Sequence, residues 1–209
     1  MRLLITRHSK TIWNEQRRLQ GRKDSKLTQK GIEEARILGE FLKGEQIDVI
    51  YSSPINRAYQ TAQMIFPDRE IITDDRLMEM SFGDYEGKSV AELVKQKDYH
   101  DLWHNPSLDS RLPHGESYRE IKERLQSFYE EIKTRHASQT VFVVTHGMAF
   151  IVLQAVIKNL CIEDLTSINQ EVVRGCSLTE IMVGNNSAVI ERIGDSSFLP
   201  SDNLISFNK

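Results

Sequence analysis

Val141-Phe-Val-Val-Thr145 is an unbroken apolar run of strand length that ends on His146-Gly147 and opens into an almost wholly apolar helical stretch over 148–157. A strand without polar alternation is covered on both faces, which points to an α/β sheet with helices above and below it. The same unit recurs along the chain. Leu3-Leu-Ile-Thr6 stops at Arg7 and His8, Asp48-Val-Ile-Tyr-Ser52 stops at Ser53-Pro54, and Glu70-Ile-Ile-Thr73 is a third short run. Helical spacing fills the gaps. Thr28 caps a helix carrying Ile32, Ala35, Leu38, Phe41 and Leu42, which Lys43-Gly44 ends. A second helix from Ile55 buries Tyr59, Ala62, Ile65 and Phe66 and stops before Pro67. Ser117-Tyr-Arg-Glu120 is a capping box in front of Ile121, Leu125, Phe128 and Ile132.

Two late strands, 176–183 and 187–193, flank Gly184-Asn-Asn, a hairpin signal that requires an antiparallel pair. The expected fold is therefore a mixed, mostly parallel α/β sheet with helices on both faces. Residues 9–26 read as a polar loop. Residues 84–116 are long for a connection and rich in breakers, so they are expected to form a helical lid inserted into a single domain spanning 1–195. Residues 196–209 read as a loose polar tail.

Composition narrows the setting. A net charge of −3 over 209 residues gives no reason to expect nucleic acid. Two cysteines, Cys161 and Cys176, are too few for a disulfide framework, and no apolar stretch approaches the roughly 20 residues of a membrane span. The opening apolar run is broken at Arg7, too early for a secretory segment, so a cytoplasmic protein without a membrane partner is expected. The sequence leaves a homodimer open.

In open α/β sheets, ligands bind outside the carboxyl ends of the strands. That rule gathers Arg7 and His8, then Ser53 and Arg57, then Glu79, then His146 and Gly147, around one crevice. Taken singly, each has a bland alternative as a surface charge or a hydrogen-bonded polar group. Together, two arginines, two histidines and one carboxylate suit a phosphoryl group, with Gly147 opening a helix whose amides favour an anion.

These residues also sit in blocks. Thr6-Arg-His-Ser-Lys-Thr-Ile-Trp-Asn14, Gln20-Gly21, Leu27-Thr28 and Gly31 come first, and Ser52-Ser-Pro-Ile-Asn-Arg57-Ala-Tyr-Gln-Thr-Ala62 follows. Glu79-Met-Ser-Phe-Gly83-Asp-Tyr-Glu-Gly87, Gly115-Glu-Ser117 and Val144-Thr-His146-Gly147 complete the set. In that order they resemble the histidine phosphatase superfamily, the phosphoglycerate mutase-like proteins. The resemblance implies that His8 is a nucleophile that becomes phosphorylated. It implies that Arg7, Arg57, Asn14 and His146 bind the phosphoryl group and that Glu79 gives the leaving group its proton. Ser9, Gln20, Gly21 and Gly147 join Asn14 as substrate-binding positions. No metal and no cofactor is implied, and the partner is a small phosphorylated metabolite.

The sequence departs from the family at Ser9, where glycine is usual, and at Lys10. If position 9 needs positive φ, serine adds about 1–2 kcal/mol of strain. The preferred expectation is that the small serine adds a phosphate contact. His100 and His104 have the i, i+4 spacing of metal ligands but no third partner, so they are expected to be solvated. Arg17, Arg18, Arg22, Lys23 and Lys26 form a basic loop suited to steering anions, or simply to solvation. Phe82, Tyr99 and Trp103 either line a leaving-group pocket or pack the lid. The stretch after Glu79 is similar to the phosphatase branch, so a phosphomonoesterase is expected. The alternatives are a cofactor-dependent phosphoglycerate mutase and a phosphate-binding regulatory protein with weakened catalysis.

Overall fold

The computed structural model describes residues 1–165, 173–185 and 187–201. Alternating burial along its strands explains its layers. In β1 (Arg2–Arg7), Leu3 and Ile5 face one side of the sheet and Leu4 the other. In β4 (Thr140–Thr145), Val141 and Val143 share the first side, and Phe142 and Val144 the second. The second side is covered by α2 (Gln29–Phe41) and α3 (Asn56–Ile65), through Ala35, Leu38, Ala58 and Ala62. A short α1 (Ile12–Glu15) precedes them, and β2 (Val49–Ser52) runs between them.

The first side carries most of the remaining helices. After β3 (Ile72–Thr73) come α4 (Val90–Leu93), α5 (Lys97–His104) and α6 (Tyr118–Arg135). Helix α7 (Gly147–Lys158) follows β4 and is buried nearly all round, which its unbroken apolar composition requires. The capping box at α6 forms as expected: the Ser117 side chain accepts from the Glu120 N–H and Glu120 accepts from the Ser117 N–H. The chain closes with β5 (Leu178–Val183) and β6 (Ala188–Asp195).

Among the described residues, six strands run in the order β3-β2-β4-β1-β5-β6. The first four are parallel, while β5 pairs antiparallel with both β1 and β6. Register places the site. Arg7 lies opposite Thr145 and Ser52 opposite Val144, so the residues that follow, His8, His146 and Ser53, emerge side by side.

Several expectations change. The third strand is two exposed residues rather than four, because Glu70 and Ile71 lie outside the ladder. The loop over 9–26 contains α1, nucleated by a reciprocal cap in which Thr11 Oγ1 accepts from the Asn14 N–H and Asn14 Oδ1 from the Thr11 N–H. Tyr59 and Phe66 are half-buried rather than buried, and Phe41 is exposed. In the inserted segment, Leu93, Tyr99, Leu102 and Leu112 share the core that holds α6 and α7. The start of the tail is not loose either: Phe198 stacks on Phe41 at 4.2 Å and Leu199 is buried. The middle of the predicted late hairpin, at Asn186, and residues 202–209 of the tail lie outside the described residues. Among those described, no helix is long and apolar enough to cross a membrane.

Candidate active site

His8 is buried at the end of β1 and its two ring nitrogens have different neighbours. Nδ1 lies 2.7 Å from the Ser9 carbonyl, which can only accept, so Nδ1 carries the proton. Nε2 lies 3.2 Å from Arg57 Nε, which can only donate, so Nε2 holds a lone pair. Burial, then the Arg57 and Arg7 guanidiniums, push the His8 pKa well below its ordinary value and keep the ring neutral. His146, the residue before α7, is held low by burial, then by Arg57, His8 and Arg7. Its ring lies 5.2 Å from that of His8, and its Nε2 lies 2.7 Å from Ser53 Oγ. His146 Nδ1 and Arg7 Nε are buried without a hydrogen-bond partner among the described residues.

Arg57 is almost fully buried, against the usual fate of a helix arginine. Its Nη2 donates to the Gly21 carbonyl at 2.6 Å and its Nη1 to the Lys23 carbonyl at 2.8 Å, with Asp24 at 3.3 Å. Burial lowers the pKa values of Arg7 and Arg57, and Glu79 opposes the shift in both, so the two remain cations.

Glu79 is buried in front of α7 and does the capping that His146 does not. Oε1 accepts from the Met80 and Ala149 N–H groups at 3.0 Å each, and Oε2 from the Met148 N–H at 3.2 Å. A carboxylate is therefore fixed at the positive end of a helix, beside two guanidiniums. Behind it, Arg124 forks onto Glu116 and reaches the Glu79 carbonyl at 3.3 Å.

Arg7, His8, Arg57 and Glu79 border a common cavity of about 150 Å³, together with Gly147. Asn14, Gln20 and Gly21 line it too, as do Arg18 and the apolar side chains of Leu19, Phe82, Val90, Trp103 and Met148. The arrangement offers a lone pair facing a cationic recess, a carboxylate and a mostly apolar wall, which suits attack on a phosphate ester.

The model of the histidine phosphatase superfamily, branch 1, matches residues 3–196. The chain belongs to this family. It is 37% identical over 194 residues to a putative phosphoserine phosphatase 2 of Hydrogenobacter thermophilus, covering 90% of this chain and 93% of that one. It is 31% identical to a probable phosphoglycerate mutase of Proteus mirabilis, covering 95% of both. The solved structure of YhfR from Bacillus stearothermophilus superposes with a TM-score of 0.85 at 33% identity, covering 94% of this chain and 98% of that one.

Within this histidine phosphatase, two expected contributions are placed differently. Ser9 is fully buried and not on the cavity surface; its N–H donates to Thr61 Oγ1 at 3.0 Å and its hydroxyl lies 3.4 Å from the same oxygen. Its hydroxyl therefore braces α3 rather than facing a phosphate, and Ser9 is not among the residues with positive φ, so the feared strain is absent. Lys10 also stays off the cavity, 3.9 Å from Glu15. His100 and His104 stack at 4.1 Å on the exposed face of α5. Among the described residues, no group of three or more acidic, histidine or cysteine side chains is arranged to hold a metal.

Other residues were not singled out from sequence. Thr61 follows Arg57 by one helical turn, so it had a signal in the i, i+4 spacing. Glu86 had none: its carboxylate accepts from the N–H groups of Arg22, Lys23 and Phe82 and ties two distant loops together.

Proposed function

We propose that this histidine phosphatase is a phosphomonoesterase acting on a small phosphorylated metabolite through a phosphohistidine at His8. The observation that carries the reading is the fixed tautomer, with Nε2 of a neutral, buried imidazole facing the cavity cations. In this reading Nε2 attacks phosphorus, the bond to the leaving oxygen breaks, and Glu79, entering the step as the carboxylic acid, gives that oxygen its proton and is left as the carboxylate. Glu79 then takes a proton from the water that attacks the phosphohistidine. Arg7, Arg57, Asn14 and His146 meet the phosphoryl oxygens; among the described residues Arg7 Nε–H has no other acceptor, and His146 Nδ1 is a second donor when the Ser53 hydroxyl donates to His146 Nε2. The free thiols of Cys161 and Cys176 fit residence in a reducing compartment, and a cytoplasmic location belongs to the proposal.

The two curated relatives carry names for different reactions, and the wall after Glu79 favours hydrolysis. A mutase must keep water from its phosphoenzyme and hold a highly charged acid through two steps. Here that wall offers Phe82, with Val90 and Trp103 beyond it. Incubation with 3-phosphoglycerate and 2,3-bisphosphoglycerate, following 2-phosphoglycerate and free phosphate together, tests the choice. Phosphate release is expected to outrun isomerisation; the reverse would establish the mutase.

A further inference from the structure

The segment that carries Glu79 is irregular. Residues 78–82 belong to no helix and no strand, so their peptide groups find partners outside any ladder. Several of those partners trace to one block of the sequence, Gly115-Glu-Ser117, to which the proposed reaction gives no task.

Glu116 is buried and grips Ser81 twice: its N–H donates to the Ser81 carbonyl at 2.8 Å, and its Oε2 accepts from the Ser81 N–H at 3.3 Å. It also receives the Arg124 fork, Nε on Oε1 at 2.6 Å and Nη2 on Oε2 at 2.8 Å. Arg124 is thereby aimed back at the same segment. Its Nη1 donates to the Arg76 carbonyl and its Nη2 to the Glu79 carbonyl at 3.3 Å. The pair holds the backbone on both sides of Glu79, at 76, 79 and 81.

The neighbours of Glu116 serve the same grip. A Cβ on Gly115 would lie 2.7 Å from the Ser81 carbonyl oxygen, so only glycine lets the two segments come this close. Ser117 caps α6, the helix that carries Arg124. Arg22 reaches Glu116 Oε1 at 3.3 Å from the loop that holds Arg57.

Neither Glu116 nor Arg124 lines the cavity, so neither touches the substrate. We propose that Glu116, acting through Arg124 and Ser81, is a positioning residue that fixes Glu79 in front of the leaving oxygen. The proposal rests on the reading of Glu79 as proton donor. Its force is geometric: a misplacement of about 1 Å at a reacting group can cost about 10²-fold in rate.

Phosphate release is measured on 3-phosphoglycerate, an alkyl ester, and on p-nitrophenyl phosphate, whose leaving group needs little help from an acid. Glu116→Gln keeps the size of the side chain but puts an amide N–H where Arg124 and the Ser81 N–H need acceptors. It should lower kcat on the alkyl ester about 10–10²-fold with KM little changed, and kcat on the aryl ester less than about threefold. Arg124→Lys, which keeps the charge and loses the fork, should show the same bias and carries the comparison if the first variant does not fold. The double variant Glu116→Gln/Glu79→Gln should be no slower than Glu79→Gln, because Glu116 acts through Glu79. A leaving-group bias in Glu79→Gln that Glu116→Gln and Arg124→Lys both lack would overturn the proposal, as would additive losses in the double variant. Equal slowing of both esters by Glu79→Gln would instead overturn the acid reading, and additivity in the double variant alone would then decide the positioning. Release of phosphate from neither ester by the unaltered chain would overturn the phosphomonoesterase reading and this proposal with it.

Discussion

His8 can present only one nitrogen to phosphorus because a carbonyl fixes the other, and its neutrality has consequences beyond the reaction. The folded chain holds His8 and His146 unprotonated well below the ordinary histidine value, whereas the unfolded chain protonates both near pH 6.5. The unfolded state therefore binds more protons below that pH, and stability falls as pH is lowered through it. Each ring contributes a slope of up to about 1.4 kcal/mol per pH unit. Thermal unfolding between pH 7 and pH 5 should show a falling Tm, and His146→Gln should flatten the fall. The proposed reaction gives Glu79 two functions at the same scale. As proton donor it matters most where the departing oxygen is basic, so Glu79→Gln should slow an alkyl phosphate roughly 10²–10⁴-fold and an activated aryl phosphate far less. Equal losses on both substrates would leave Glu79 only its cap on α7. Arg57 was legible from its place after β2 and from its block, not from helical spacing: nothing in the periodicity of α3 says that this arginine, rather than a solvated one, is buried.

The strand ends bring the proposed catalytic groups together, but the loop over 20–24 holds Arg57 in place. Gly21 has φ +58°, and a Cβ there would lie 2.2 Å from Glu86 Oε1. Gly44 has φ +95° and open space around it. Alanine at either position pays for the left-handed backbone, about 1 kcal/mol. Only Gly21→Ala must also displace Glu86 and the carbonyl that anchors Arg57. Gly21→Ala should lower Tm more than Gly44→Ala and cut kcat/KM at least tenfold, while Gly44→Ala leaves kcat/KM unchanged. Elements with strong local signals were legible in the sequence: β4 through its apolar run, α6 through its capping box, and α2 through Thr28. α1 was not, because its cap uses Asn14 where the common pattern has glutamate or glutamine, and its four residues bury nothing.

At the scale of the whole molecule, parallel register turns scattered residues into a site. The order of strands and the rule about their carboxyl ends were enough to gather Arg7, His8, Arg57, Glu79 and His146 from sequence. What could not be read there are contacts that cross the fold without local periodicity. Glu86 bridges to Arg22 and Lys23, Arg124 forks onto Glu116, and Phe198 returns to cover Phe41. The inserted segment carries short helices, as its sequence suggests, but that Leu93, Tyr99 and Leu102 are buried in the core shared with α6 and α7 is a contact of the same kind. The proposed reaction passes through a covalent phosphoenzyme at His8. The most direct test exposes the intact chain briefly to labelled substrate, quenches in alkali and maps the label. The account predicts an acid-labile phosphoryl group on His8 Nε2, absent from His8→Ala, which should also lose turnover. Label on a serine, or undiminished turnover by His8→Ala, would contradict it.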